Sequence, residues 1–169
     1  MRRSINSIGA DFLELSRDIF EKGKSVRFQA KGWSMRPLIR DGDFIVVRPV
    51  ENSSIKTGDV VFYSTTGNKV IVHRLIRKYR QKGRMKVFIK GDASFSSPEK
   101  MDIQNVLGKV IAIERNGRKK RLDTKLHQII GLLLSGISPF SRWIYPIGSV
   151  VKHSGRRLLG RYFKESVKS

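Results

Sequence analysis

From Ser25 to about Leu122 the chain consists of short apolar runs separated by turn-forming residues, and this pattern constrains the fold more than any other feature. The runs are rich in β-branched and aromatic residues, which favour strands. They are Phe44–Val47, Asp59–Tyr63, Val70–Ile76, Lys86–Ile89 and Val106–Ile113. Turn signals containing Gly, Asn or Asp lie between them, at Asp41–Asp43, Gly58–Asp59, Thr66–Asn68, Lys82–Gly83 and Asn116–Gly117. The pattern predicts a compact, mainly antiparallel β domain over residues 25–123.

An N-terminal segment, residues 1–24, precedes this domain and contains a predicted amphipathic helix over residues 7–22. Apolar residues recur there at spacings of three and four, namely Ile8, Phe12, Leu15 and Ile19, and Phe20 extends the stripe. Ser7 or Asp11 could cap the helix, and Gly23 is expected to end it. We expect the apolar stripe to pack against the β domain.

Residues 124–169 form a third segment, which is both apolar and basic. Its apolar stretch, Leu126–Val151, is interrupted by two prolines and by Arg142, which would be costly inside a membrane. The pattern of this segment predicts a helix over 124–136, then a bend and a second apolar stretch at Trp143–Val151. It also predicts a cationic amphipathic helix over 155–168. We therefore expect a mainly β protein with a short N-terminal helix and C-terminal amphipathic and apolar helices.

The composition excludes several kinds of chemistry. The chain has no cysteine, so disulfides, thiolate catalysis and cysteine-bound zinc are absent. Its three histidines, His73, His127 and His153, are far apart in sequence, and we expect neither a metal site nor a cofactor. The formal net charge of +21 favours an anionic partner such as nucleic acid, anionic lipid or an acidic substrate.

The first residues are not typical of a secretory signal. Met1–Arg3 could begin a charged region, but the following residues are polar and the acidic Asp11 and Glu14 interrupt them. No apolar core forms, and the roughly 18 consecutive apolar residues of a membrane-spanning helix are also missing there.

Three residues of the β region could together carry nucleophilic chemistry. Ser34 follows Gly32-Trp33 in a loop, His73 lies inside an otherwise apolar strand, and Asp92 lies in a turn directly after a strand. Taken singly, each has a purely structural alternative: a loop serine, a core histidine bonded to a carbonyl, and a turn aspartate. A serine becomes a good nucleophile when a neighbouring base accepts its proton and a carboxylate orients that base. The sequence cannot show whether the three side chains converge.

Five sequence boxes occur in an order that resembles the signal peptidase I superfamily of S24/S26-type serine peptidases, which includes the LexA-type self-cleaving repressors. The boxes cover roughly residues 28–113 and are Gly-x-Ser-Met-x-Pro-x-Ile-x-x-Gly-Asp from Gly32, Lys56–Phe62, Val72–Ile76, Lys90–Ala93 and Leu107–Val110. The residue at the position of the base separates the branches of the superfamily. A histidine there, His73 in this chain, is similar to the archaeal and endoplasmic-reticulum type rather than to the lysine-dependent bacterial type.

The resemblance implies a role for each matching residue. Ser34 would attack the scissile carbonyl, His73 would transfer the proton, and Asp92 would orient or electrostatically support the imidazole. The backbone N–H of Ser34 would donate to the oxyanion. Met35 would line the site and pack beneath the serine.

Three departures from the family pattern qualify these roles. Many relatives carry a hydroxyl residue two positions before the nucleophile, where this chain has Gly32. The second acid of the histidine branch has only loose candidates here, Glu99 and Asp102. We also expect the usual N-terminal membrane anchor to be absent, with the basic segment 124–169 after the domain in its place.

The main functional hypothesis is a serine endopeptidase that cleaves a precursor peptide or preprotein at or near a membrane. We expect residues 124–169 to bind anionic lipid, and the excess of Lys and Arg favours the cytoplasmic face. One alternative is a LexA-like self-cleaving regulator. The histidine base and the short N-terminal segment argue against it, and binding to nucleic acid is disfavoured for the same reasons. Another alternative is a non-catalytic basic module that uses the same fold to bind a membrane or nucleic acid.

Overall fold

Eight antiparallel strands form one sheet in the part of the chain that the computed structural model describes, which is residues 5–123, without the side chains of residues 5–8, and residue 133. The strands are β1 (Val26–Gln29), β2 (Phe44–Pro49), β3 (Val60–Ser64), β4 (Val70–Gln81), β5 (Arg84–Lys90), β6 (Glu99–Asp102), β7 (Val106–Arg115) and β8 (Arg118–Arg121). They lie in the order β1-β2-β7-β3-β4-β5-β6, and β8 pairs with β7. A single helix, α1 (Ile5–Glu21), precedes them, and a short 3-10 turn (Ile103–Asn105) joins β6 to β7.

The mainly antiparallel β fold and the N-terminal helix confirm that part of the predicted fold class. Each of the five predicted apolar runs lies wholly or almost wholly within a strand. The structure adds β1, β6 and β8, which no apolar run indicated. The helices and the membrane contact expected for residues 124–169 fall almost entirely outside the described residues. Within the described residues, no helix is long and apolar enough to cross a membrane.

Two of the predicted turns join their strands with two residues each. Lys82 and Gly83 connect β4 to β5, and Asn116 and Gly117 connect β7 to β8. All four have positive φ angles, between 48° and 76°, which is the conformation of a type I′ hairpin turn. Such turns match the twist of the flanking strands, so they fix the register of both hairpins.

The sheet buries apolar side chains on both of its faces. One cluster contains Met35, Ile39, Ile45, Val47, Val60, Phe62, Val110, Ile113 and Leu122. The other contains Ile55, Val61, Tyr63, Leu75, Val87, Ile89, Met101, Ile103 and Val106. Strand β3 contributes to both clusters, because successive side chains of a strand point to opposite faces. All five of its residues are buried, which explains why its sequence is a continuous apolar run without alternation.

Helix α1 covers the first of these two clusters, as expected for its apolar stripe. The ring of Phe12 packs edge-on against Phe28 and Phe62, and Phe20 does the same against Phe62. Gly23 ends the helix with φ +68°, and its N–H donates to the Phe20 carbonyl.

The predicted helical stripe was wrong at one position. Leu15 is 56% exposed, whereas Leu13 and Ser16 are buried. The buried and half-buried face therefore runs through residues 9, 12, 13, 16, 19 and 20, and Leu15 lies to one side of it. The Ser16 hydroxyl donates to the Phe12 carbonyl at 2.7 Å, which satisfies its polar group inside the interface.

The two sides of α1 should respond differently to truncation. Phe12→Ala removes an aromatic ring from three-ring packing and should lower the free energy of unfolding by roughly 2–4 kcal/mol. Leu15→Ala removes an exposed side chain and should change it by no more than about 0.5 kcal/mol. Urea denaturation of both variants measures the difference. Equal losses would contradict the docking face described above.

Candidate active site

Ser34 lies in the loop between β1 and β2, which backbone and side-chain hydrogen bonds hold in place. The Ala30 N–H donates to the Asp43 carbonyl at 2.7 Å and closes the base of the loop. The Asp41 carboxylate accepts a hydrogen bond from the Gly32 N–H at 2.8 Å, two residues before the serine. The loop therefore presents Ser34 from a fixed backbone.

His73 comes from β4 and meets the serine hydroxyl directly. It is paired with Val61 of the neighbouring strand β3, which fixes its position along the sheet. Its Nε2 atom lies 2.9 Å from Ser34 Oγ, although the two residues are 39 apart in sequence. The structure thus brings together the first two residues that the sequence singled out, at the distance a proton transfer requires.

The backbone after β5 approaches the serine closely from another direction. The Ala93 N–H donates to the Ser34 carbonyl at 2.8 Å. A Cβ atom at Gly91 would lie 2.6 Å from the Ser34 carbonyl oxygen and 3.1 Å from His73 Nε2. Only glycine fits there without a shift of neighbouring backbone. Sequence reasoning did not assign this role to Gly91, although the glycine lies inside the Lys90–Ala93 box.

The second ring nitrogen of His73 faces a tyrosine. His73 Nδ1 lies 3.2 Å from the Tyr63 hydroxyl, and that hydroxyl donates to Glu99 Oε2 at 2.9 Å. Tyr63 is completely buried, whereas Glu99 lies on β6 and is an exposed residue. Sequence reasoning missed Tyr63, because a tyrosine at the end of an apolar strand is typical of a core residue.

Asp92 does not orient the imidazole by a hydrogen bond in the way the resemblance implied. Its two carboxylate oxygens accept from Arg74 Nε and a terminal nitrogen of the same guanidinium, each at 2.7 Å. Both side chains are almost wholly buried, and Arg74 also donates to the Gly58 carbonyl. Bidentate geometry commits this carboxylate to Arg74. Asp92 still acts on His73 through its charge, which is the electrostatic support that the resemblance gave as the alternative to orientation.

The two candidates for a second acid lie in different surroundings. Glu99 reaches the site through Tyr63, as described above. Asp102 accepts from Lys86 Nζ at 2.7 Å, across the β5–β6 pair. The structure therefore connects only Glu99, of these two, to the imidazole.

Burial sets the protonation of His73 and of the tyrosine beside it. It lowers the pKa of His73 below the ordinary value of 6.5, against the opposing effect of the carboxylates of Glu99 and Asp92. Burial also raises the pKa of the Tyr63 hydroxyl, and the hydrogen bond to Glu99 raises it further. The imidazole is therefore neutral and the tyrosine protonated near pH 7.

Gly32 and Met35 complete the surroundings of the serine. Met35 is buried in the first core cluster beneath the loop and also lines the cleft beside Ser34. Gly32 has φ +104°, a conformation that side chains rarely adopt, although a Cβ atom there would meet no neighbour within 4 Å. Steric space alone would therefore allow a hydroxyl residue, but the backbone conformation favours glycine.

An apolar cleft of about 290 Å³ lies beside Ser34. One wall is the end of β1 with the residues that follow it, and the other is the start of β4, Val70–Val72. Within the described residues β1 pairs only with β2, and β4 begins to pair with β5 only at Arg74. Both walls therefore keep a strand edge whose backbone groups can pair with a further strand.

A comparison with family models gives one match. The model described as Peptidase S24-like matches residues 3–111, which include α1, the Ser34 loop, His73 and most of β7. A comparison with curated proteins gives no significant match.

The close approach of Gly91 can be tested by adding a single methyl group. Gly91→Ala should push Ser34 away from His73 and break the hydrogen bond between them, because the new Cβ would collide with Ser34 backbone. Gly67→Ala is the matched control, since a Cβ there meets nothing within 4 Å. The NMR shift of the His73 ring nitrogen that faces Ser34 should move in the first variant only. An unchanged shift in Gly91→Ala would contradict the packing described here.

Proposed function

The chain belongs to the Peptidase S24-like family, and on this premise we propose that it is a serine endopeptidase with Ser34 as nucleophile and His73 as general base. The observation that carries the proposal is the 2.9 Å contact between Ser34 Oγ and His73 Nε2. A neutral imidazole at this distance can accept the hydroxyl proton as the oxygen attacks. The depressed pKa of His73 supports the same assignment, because it keeps the ring unprotonated near neutral pH.

The reaction proceeds in two halves. Ser34 Oγ attacks the carbonyl carbon of the scissile peptide bond while its proton moves to His73 Nε2. The imidazolium then protonates the leaving amine, the C–N bond breaks, and an acyl-enzyme on Ser34 remains. In the second half His73 deprotonates a water molecule that hydrolyses this ester and restores the serine.

The negative charge of the tetrahedral intermediate needs a hydrogen-bond donor. The Ser34 N–H is the candidate, because no acceptor for it is found among the described residues. Gly32 supplies no hydroxyl at the position where many relatives have one. Losing one such donor typically costs about 10²–10³ in rate. We therefore expect slow turnover unless substrate binding brings a further donor.

The cleft beside Ser34 supports an extended peptide as substrate. A strand that enters between the end of β1 and the start of β4 could pair with backbone groups on both walls. We propose a precursor peptide or preprotein as the natural substrate.

Within the superfamily, His73 favours the histidine branch over the lysine branch as the model for the mechanism. The place of action is a further part of the proposal. We propose that residues 124–169 bind anionic lipid on the cytoplasmic face, because this segment combines apolar stretches with a large excess of Lys and Arg.

Self-cleavage is a second candidate function, which the family match specifically favours because the S24-like family suggests LexA-type self-cleaving proteins as well as peptidases. The two candidates use the same Ser34–His73 chemistry and differ only in the origin of the scissile peptide. Incubating the purified chain alone and then with added peptides separates them. A fragment that forms alone, at a rate independent of protein concentration, indicates cleavage within one molecule.

Removing either partner of the Ser34–His73 pair should abolish cleavage. Assays against a panel of precursor peptides, with anionic liposomes present, should show a loss of at least about 10³-fold for Ser34→Ala and for His73→Ala. Ser96→Ala is a control, because Ser96 is an exposed serine in the loop after Asp92. Circular dichroism confirms that each variant is folded. Cleavage that persists in Ser34→Ala would overturn the proposal.

Activity should depend on pH through the protonation of His73. Protonated His73 cannot accept the serine proton, so kcat/KM should fall on the acid side and rise as the imidazole becomes neutral. Because burial lowers the pKa of His73, the midpoint of this acid limb should lie below the ordinary value of about 6.5. A profile of kcat/KM from pH 4 to 8 measures it. A midpoint above pH 7 would contradict the assignment of the base.

A further inference from the structure

Resting on the proposed function, we propose that Tyr63 is a positioning residue that links the Glu99 carboxylate to His73, so that Glu99 acts on the base through a tyrosine. The four groups form a continuous chain of hydrogen bonds. Ser34 Oγ lies 2.9 Å from His73 Nε2, His73 Nδ1 lies 3.2 Å from the Tyr63 hydroxyl, and that hydroxyl lies 2.9 Å from Glu99. Asp92, the acid expected to orient the imidazole, is held by Arg74 instead.

The direction of each hydrogen bond follows from what the groups can donate. An ionised carboxylate only accepts, so the Tyr63 proton points to Glu99. The Tyr63 oxygen is then left with lone pairs toward the imidazole and can accept a hydrogen bond from Nδ1–H. A neutral imidazole carries one N–H, so this arrangement leaves Nε2 unprotonated. That is the nitrogen that must accept the proton of Ser34.

The same chain supports the charged state of the base. When His73 gains a proton during the reaction, Nδ1–H continues to donate to Tyr63 and the nearby negative charge of Glu99 stabilises the imidazolium. The Glu99 carboxylate indeed opposes the effect of burial on the pKa of His73. An aspartate that contacts the histidine directly does both tasks in other serine proteases. Here the two tasks are divided between a hydroxyl and a more distant carboxylate.

Burial explains why the tyrosine is needed. Tyr63 is fully buried in the second core cluster, so packing fixes its ring. Its hydroxyl is thereby held between His73 and Glu99. Glu99 is exposed on the edge strand β6, where water screens its charge. A screened carboxylate orients a distant ring only weakly through its field. Through the fixed Tyr63 hydroxyl, the Glu99 carboxylate instead acts on the His73 ring by hydrogen bonding, which water screens less.

Nitrogen NMR of the imidazole tests the proposal without any substrate. In a His127→Gln/His153→Gln background, His73 is the only histidine, and its two ring nitrogens can be assigned. The expected neutral form carries its proton on Nδ1. Tyr63→Phe removes only the hydroxyl and should produce a substantial population protonated on Nε2. It should also lower the pKa of His73, because the imidazolium loses an acceptor.

Kinetic measurements on a peptide that the wild-type protein cleaves provide a second test of the proposal. Tyr63→Phe should lower kcat about 10–100-fold with little change in KM, a size typical for loss of a group that orients a functional histidine. Glu99→Gln should lower kcat less and shift the acid limb of the pH profile downward. In the Tyr63→Phe background, Glu99→Gln should have almost no further effect on kcat, because the hydrogen-bonded connection is already broken. Asp102→Asn, on the same strand but bound to Lys86, is the matched control.

Each outcome decides one question. The proposal is supported if the wild-type ring is protonated on Nδ1 and Tyr63→Phe produces a population protonated on Nε2. A wild-type ring protonated on Nε2, or additive effects of Tyr63→Phe and Glu99→Gln, overturns it. If no peptide is cleaved by the wild type, the proposed endopeptidase function fails, while the NMR arm still decides whether Tyr63 and Glu99 set the tautomer.

Discussion

The buried ion pair between Arg74 and Asp92 is the interaction on which the geometry of the site depends. Arg74 lies on β4 next to His73, and Asp92 lies next to Gly91, so the pair ties the strand that carries His73 to the turn that contacts Ser34. Burying two charges is costly, and removing one partner leaves the other uncompensated. The pair is therefore better understood as a means of fixing this geometry than as a large source of stability.

The strands with long apolar runs could be predicted, whereas the short strands β1, β6 and β8 could not. Strand β6 (Glu99–Asp102) has one buried apolar residue, Met101, and β8 (Arg118–Arg121) is wholly basic, and both join the sheet by backbone pairing with β5 and β7. Such pairing depends on the neighbouring strand and gives no signal in composition. The error at Leu15 has a similar origin, since several helical faces contain apolar residues and only tertiary packing selects the buried one.

The sequence allowed the main residues of the candidate site to be predicted, but not all of the contacts that they make. A resemblance to known sequences pointed to Ser34 and His73, and the structure places them in hydrogen-bonding distance. The same resemblance assigned the orienting role to Asp92, but a local motif does not reveal that a buried arginine competes for the same carboxylate. Tyr63 was invisible for the opposite reason. Its ring belongs to the core, and only its terminal oxygen belongs to the site.

The composition of β8 has a consequence for how copies of this protein meet one another. The strand lies beside β7, and all four of its residues are exposed Lys or Arg. Two copies that joined along this edge would bring the Lys and Arg residues of one β8 beside those of the other, at the ~4.8 Å spacing of paired strands. Repulsion at that distance opposes sheet extension between molecules. The basic strand β8 therefore disfavours edge-to-edge pairing between copies of this protein.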